Sequence, residues 1–354
     1  ATTIPNKFNY RPRCSSDVIF KFRAVSCVKV RSILESLKNS KSNDIYNIDA
    51  EIVKSVKDLL ISPLTKLINL CISHSVFPEC LKTAIVVRVH KKGNNNEPSN
   101  YRPIAILPVF AKIYGKILYE QLNSYFESHN LFCEFQYGFR KNHSNIDAIQ
   151  SLVDFITNCF ETNHIAATTF YDLCKAFDRV SHTRFLDKIA LYNVEQKSIS
   201  LIESYLSNRS QVVRFQNNFS KPLAINRGVP QGSILGLLLF LIFLNDLPFH
   251  LSSNCTLYAD DTTLISRAED LQSAIVSNRE SRSEAFDWFR ENELLLNTEK
   301  TVNVLFSLKK FENPDNFSES HKFLGLYLDA TLLWNAQDIS AANKTNSGLS
   351  YSEI

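Results

Sequence analysis

Two adjacent carboxylates, Asp260 and Asp261, sit in the run Tyr258-Ala259-Asp260-Asp261 between two short β-type segments, 255–257 and 262–265. That spacing predicts a hairpin with both carboxylates at its tip. The flanking residues are apolar, so the turn is anchored in a core, where two bare carboxylates repel and need a cation. A tight turn also presents an Asp pair for solvation alone, and the pair by itself leaves that alternative open.

A third carboxylate lies upstream, where Asp172 follows the apolar run 165–171. Mg²⁺ prefers octahedral oxygen coordination, keeps several waters, and takes one or two carboxylates plus substrate phosphates. Two such ions need bridging carboxylates from separate strands. In that arrangement one ion activates a 3′-hydroxyl and the other steadies a leaving pyrophosphate, with the metals roughly 3.5–4 Å apart. Asp172 and Asp260 are the natural bridging pair.

Apolar spacing predicts helices over 28–37, 50–73, 107–126 and 142–161, with others near 184–192, 197–206, 234–245 and 271–291. Strands are expected at 165–171, 211–215, 302–306 and 323–328, beside the hairpin around Tyr258. Strand, helix, two hairpin strands, helix, strand is a split βαβ order. There is no internal repeat and no low-complexity tract.

Eight short motifs follow one another along the chain: VHKKG at 89–93, SNYRPI at 99–104, QYGFR at 136–140, FYDLCKAFD at 170–178, GVPQGSILG at 228–236, YADD at 258–261, LNTEKT at 296–301 and FLG at 323–325. In this order they resemble the reverse transcriptases of non-LTR retrotransposons, the LINE-type elements of the jockey kind. The resemblance runs from Phe20 to about Trp334. It implies an α+β fold of the right-hand polymerase type. An N-terminal tail at 1–20 would precede helical fingers over 21–160 and a split βαβ palm over 161–335, with 336–354 as the truncated start of a thumb. The implied activity is RNA-directed DNA synthesis with two Mg²⁺ ions, an RNA template, a DNA primer and deoxynucleoside triphosphates.

Roles for single residues follow from the same resemblance. Asp172, Asp260 and Asp261 would hold the metals, and Lys300 would protonate the pyrophosphate leaving group. A lysine of the pair Lys91 and Lys92, together with Arg102, would grip the triphosphate; the planar fork of arginine suits phosphate, whereas lysine acts as a point charge. Arg140 would track the template backbone, and Tyr258 would contact nucleic acid. Gln231 and Gly232 belong to the template and nucleotide platform, glycine there permitting close backbone approach. Phe177 would lie beneath the ribose and collide with a 2′-hydroxyl. Asp178 lies too far along the chain from Asp172 to share its metals and is expected to serve structure or hydrogen bonding. Each basic residue also has an ordinary surface alternative, and Phe177 a core one.

A chain of 354 residues with 44% apolar residues can bury a large core and suggests two or three lobes. The net charge of +3 predicts no particular partner, but residues 81–143 alone net +5. Such a stretch is the footprint of a phosphate-binding surface, or else a solvated basic face. The eight cysteines show no C-x-x-C spacing, so neither zinc nor a disulfide framework is expected; an intracellular, reducing setting suits them. The first twenty residues lack an apolar signal core, and the longest apolar run, 234–244, is too short to span a bilayer.

The chain has no methionine, and its end, 339–354, turns polar. Leu237 and Arg88 stand where the family usually has proline. These features point to a fragment or decayed copy, so the rival expectation is a catalytically inactive remnant that at most binds nucleic acid. An RNA-making polymerase or intron maturase fits less well, given Phe177 and the spelling of 228–236.

Overall fold

The computed structural model describes residues 18–334 apart from 41, 91, 92, 98, 99, 217 and 315, and for Arg102 the backbone alone. In chain order the elements are α1 (Cys27–Ser36), α2 (Ala50–Ser55), α3 (Lys57–Ser73), β1 (Thr83–His90), β2 (Tyr101–Ile106), α4 (Val109–Ser128) and α5 (Asn145–Glu161). There follow β3 (Ile165–Tyr171), α6 (Ala176–Arg179), α7 (His182–Ala190), α8 (Gln196–Leu206), β4 (Arg209–Phe215), β5 (Asn218–Phe219), β6 (Leu223–Ile225) and α9 (Ile234–Leu244). The series ends with β7 (Asn254–Tyr258), β8 (Asp261–Ala268), α10 (Leu271–Glu291), β9 (Val302–Phe306), β10 (Ser320–Phe323) and β11 (Leu326–Asp329).

The chain forms two compact units, each assembled from separate stretches. Among the described residues one, the carboxylate unit, is built from Cys133–Ala176 and 245–334; the other, the helical unit, from 18–132 and Phe177–Leu244. The segments expected above, 21–160 and 161–335, were contiguous. The ends, 1–17 and 335–354, lie outside the described residues.

In the carboxylate unit the sheet order is β7-β8-β3-β9, with every pairing antiparallel. All seven residues of β3 are buried, because helices cover both faces. Strand alternation sorts them. Ala166 and Phe170 pack with Leu152 and Ile156 of α5, while Ile165 and Ala167 pack with Ala274 of α10. Ser144 and Asp147 form a reciprocal capping box at the start of α5, which sets its beginning at Asn145 rather than at 142. Buried Thr169 accepts a hydrogen bond from Asn278 of α10 and donates one to Asn303 of β9, both at 2.8 Å, which ties three elements together just before the strand ends.

The stretch 323–328 is not one strand but the inner half of the hairpin β10–β11. Leu324 and Gly325 both have positive φ, 46° and 99°, the combination that a two-residue turn between paired strands requires. Phe323 and Leu328 still reach the core, beside Val304 and Phe306.

In the helical unit α9 is buried from Leu235 to Leu244 except for part of Leu237, which explains its all-apolar sequence. No described helix is long and apolar enough to cross a membrane. The predicted helix over 50–73 is divided at Val56, so that Pro63, which has no N–H to give the helix, falls within the first two turns of α3. β1 pairs antiparallel with β2 and parallel with β4. Neither β1 nor β2 was expected, because apolar residues such as Val89 and Ile104 are exposed beside Arg88 and His90 and no clean alternation marks either strand.

Candidate active site

Tyr258 pairs with Asp261 across β7 and β8, leaving Ala259 and Asp260 as the two turn residues. Ala259 adopts a φ of 56°, a left-handed conformation that costs a non-glycine residue about 1–2 kcal/mol. The strain is held from the QYGFR loop. The buried Gln136 side-chain oxygen accepts the N–H of Ala259 at 3.1 Å and that of Gly138 at 2.9 Å. Main-chain bonds from Tyr137 N–H to Leu257 (2.8 Å) and from Leu257 N–H to Phe135 (2.9 Å) lock the same contact. A Cβ on Gly138 would collide with the backbone of Ala259 and Tyr258, so only glycine lets the loop approach the turn so closely.

Asp172 leaves the end of β3 and meets the segment 296–301. Leu173 bridges to Leu296, and Cys174 N–H donates to Leu295. Asn297 then holds Asp172 twice, its main-chain N–H donating to the Asp172 carbonyl at 2.8 Å and its side-chain amide to Oδ2 at 3.1 Å. Lys300 Nζ lies 3.8 Å from the same Oδ2 on a largely exposed side chain. Thr301 closes the loop by donating from its N–H and its hydroxyl to the Asn297 carbonyl.

The three carboxylates act on one another. Part of Asp261 reaches solvent at the strand end, yet its carboxyl is enclosed enough that burial, then the charges of Asp260 and Asp172, push it up to about 6. Mutual repulsion of this kind is what a divalent cation relieves, and carboxylate oxygens are the donors that Mg²⁺ takes. The donor set therefore fits Mg²⁺. Among the described residues no group of three or more His, Cys, Asp or Glu side chains stands arranged to hold a metal ion by itself; Mg²⁺ ordinarily takes one or two carboxylates beside substrate phosphates and several waters.

Asn297 and Gln136 carry the geometry of the site and were not singled out from sequence. Both lie inside recognised motifs, LNTEKT and QYGFR, which was the available signal. Arg140 directs Nη1 to the carbonyls of Cys133 (3.0 Å) and Gln136 (3.3 Å), bracing its own loop rather than reaching outward with that nitrogen. Phe139, 54% exposed, stands 6.2 Å from the Tyr258 ring and makes an aromatic pair beside the turn.

The remaining expected residues belong to the helical unit. Gly228 (φ 83°) has no room for a Cβ, which would meet the Asp178 backbone at 2.6–2.7 Å. Val229 N–H donates to Phe177 at 2.7 Å and Gln231 Nε2 to Asp178 Oδ1 at 2.8 Å. Asp178 thus has the hydrogen-bonding role expected of it, and half of the Gln231 amide is committed to it. Gly232 (φ 102°) presses on the Ala105 carbonyl. Phe177 packs on Phe240 at 4.3 Å and stays partly exposed. Arg102 pairs through its backbone with Val89, and Lys91 and Lys92 lie outside the described residues.

Both departures from family prolines have a structural account. Arg88 stacks on Phe215 at 4.3 Å, and Leu237 N–H donates to Ser233 at 3.1 Å, a first-turn bond that proline cannot make.

Residues 89–328 match the family described as reverse transcriptase (RNA-dependent DNA polymerase). The chain is 30% identical over 329 residues to the "Probable RNA-directed DNA polymerase from transposon BS" of Drosophila melanogaster, covering 86% of this chain and 36% of that protein. It is 27% identical over 330 residues to the RNA-directed DNA polymerase from mobile element jockey of the same organism, covering 88% and 36%. A similarity of 25% over 228 residues extends to the retrovirus-related Pol polyprotein from type-1 retrotransposable element R2 of Popillia japonica, covering 61% and 31%. The chain spans about a third of the length of these curated relatives.

Proposed function

This chain belongs to the reverse transcriptase family, in the branch carried by non-LTR retrotransposons, and from that premise we propose that it performs RNA-directed DNA synthesis, adding deoxynucleoside triphosphates to a primer 3′-hydroxyl. The observation that carries this reading is the meeting of Asp260 and Asp261 on a strained turn with Asp172, each charge felt at Asp261. The helical fingers would run over 21–160 and the palm over 161–335.

Asp172 and Asp260, together with Asp261, would hold two Mg²⁺ ions. Those ions, when bound, supply Lewis-acid activation of the hydroxyl and neutralise charge on the pyrophosphate. Asn297 keeps Asp172 aimed. Lys300, on the same loop, holds a proton for the leaving oxygen. Lys91, Lys92 and Arg102 would grip the triphosphate, Gln231 and Gly232 would seat the nascent pair, and Phe177 would exclude ribonucleotides. Tyr258, with Phe139 beside it, would touch the primer–template, and Arg140 would position the loop beneath. An intracellular, reducing setting would suit a chain whose cysteines show no C-x-x-C spacing.

The test is extension of a DNA primer on a homopolymeric RNA template by the purified chain with Mg²⁺. Incorporation supports the assignment; template binding with no incorporation would favour the non-catalytic remnant.

A further inference from the structure

On the α10 side of the carboxylate unit lies a cavity of about 340 Å³, lined by Tyr171, Arg279, Arg282, Phe286, Thr298 and Thr301 among others. Its floor is the last residue of β3, and its wall is the 296–301 segment that also carries Asn297 and Lys300. Positions 279, 282 and 286 recur at three and four along α10, so their side chains share one face. Among the described residues neither Arg279 nor Arg282 has an acidic partner. Tyr171 is only 5% exposed, yet its buried hydroxyl has no hydrogen-bond partner. An orphaned buried hydroxyl in native structure calls for an explanation, and a ligand is one. Phe286 is 52% exposed at the rim, with Arg290 5.9 Å from its ring.

Two unpaired guanidiniums and several hydroxyls make an oxyanion site, since arginine forks bind phosphate bidentately. An exposed aromatic ring at the edge of such a site is what a nucleobase stacks on. The volume suits one nucleotide. We propose that this cavity binds a nucleotide phosphate, with its base set against Phe286, at a position separate from the Asp172–Asp260–Asp261 cluster. The phosphate would come from a free nucleotide or from one residue of a single strand. The site rests on α10 and its cavity alone and stands whether or not the chain extends primers.

The experiment is photo-crosslinking of the full chain in EDTA, with 8-azido-AMP and with a 5-iodouridine pentanucleotide in separate arms, followed by peptide mapping. Label is expected on the α10 peptide containing Phe286. In Arg279→Gln/Arg282→Gln it is expected to fall on the order of tenfold at unchanged Tm, and Arg279→Lys/Arg282→Lys is expected to restore part of it. Labelling by both probes makes the source a free nucleotide; labelling by the pentanucleotide alone makes it a strand. If neither probe labels α10, or if the Gln variant is labelled as strongly as the parent, the proposal is overturned.

Discussion

Asn297 grips Asp172 from two directions, with its main-chain N–H on the Asp172 carbonyl at 2.8 Å and its amide on the carboxylate at 3.1 Å. The bond fixes a carboxylate that would otherwise turn away from its two acidic neighbours. Partners of this kind, one step removed from the metal, are worth roughly 10–100-fold in metal affinity or activity. Asn297→Ala is therefore expected to lower primer extension by about that factor, with little change in Tm or in primer–template affinity. Steady-state extension beside a binding isotherm checks this, and a parallel loss of binding would mean that the residue serves the fold.

The contact between the QYGFR loop and the Asp turn tolerates no side chain at Gly138. Gly138→Ala forces the loop off Ala259 and Tyr258, at about 1–3 kcal/mol by the usual cost of overpacking. Urea denaturation measures that cost. Extension is expected to fall further than stability explains, because the displaced turn carries Asp260.

The acidity of Asp261 gives a pH dependence with a definite sign. Its carboxyl lies near 6 in the fold against an ordinary 3.8, so the folded state binds that proton more tightly than the unfolded chain does. Stability in EDTA then declines as pH rises from about 3.8 through 6, and the penalty is complete above that window. Asp261→Asn is expected to raise Tm at pH 7.5 without metal, and the gain is expected to vanish toward pH 4. Thermal scans across this range test it; a gain that persists unchanged at pH 4 would assign it to another cause.

Phe177 presents a partly exposed ring backed by Phe240. As the sugar gate it offers neither space nor a polar partner to a 2′-hydroxyl. Phe177→Val is expected to let ribonucleotides compete while deoxynucleotide incorporation continues. Competition assays with paired dNTP and NTP read this out, and unchanged discrimination would place the gate elsewhere.

The strands around the carboxylates were legible in the sequence because β3 is buried throughout, β9 nearly so, and β8 carries a buried β-type stretch, 262–265, directly after the Asp pair. α10 and β9 end where their periodicity ends. The β10–β11 hairpin was not legible: its turn needs positive φ at Leu324 as well as Gly325, and leucine does not announce that conformation. Asn297 and Gln136 escaped for another reason. An amide that orients a carboxylate or props a turn has no periodicity or charge signature, and only the folded register reveals its partner. The two-unit division was equally hidden, since each unit draws on separated stretches of chain.

The central claim is that Asp172 and Asp260 hold the catalytic ions, and the most direct measurement is Mg²⁺-dependent extension by Asp172→Asn and by Asp260→Asn beside their affinity for primer–template. Each change removes one negative charge from a site that must neutralise two divalent cations. Extension is expected to vanish in both variants while primer–template binding stays near the parent value. Extension that survives either substitution would contradict the assignment.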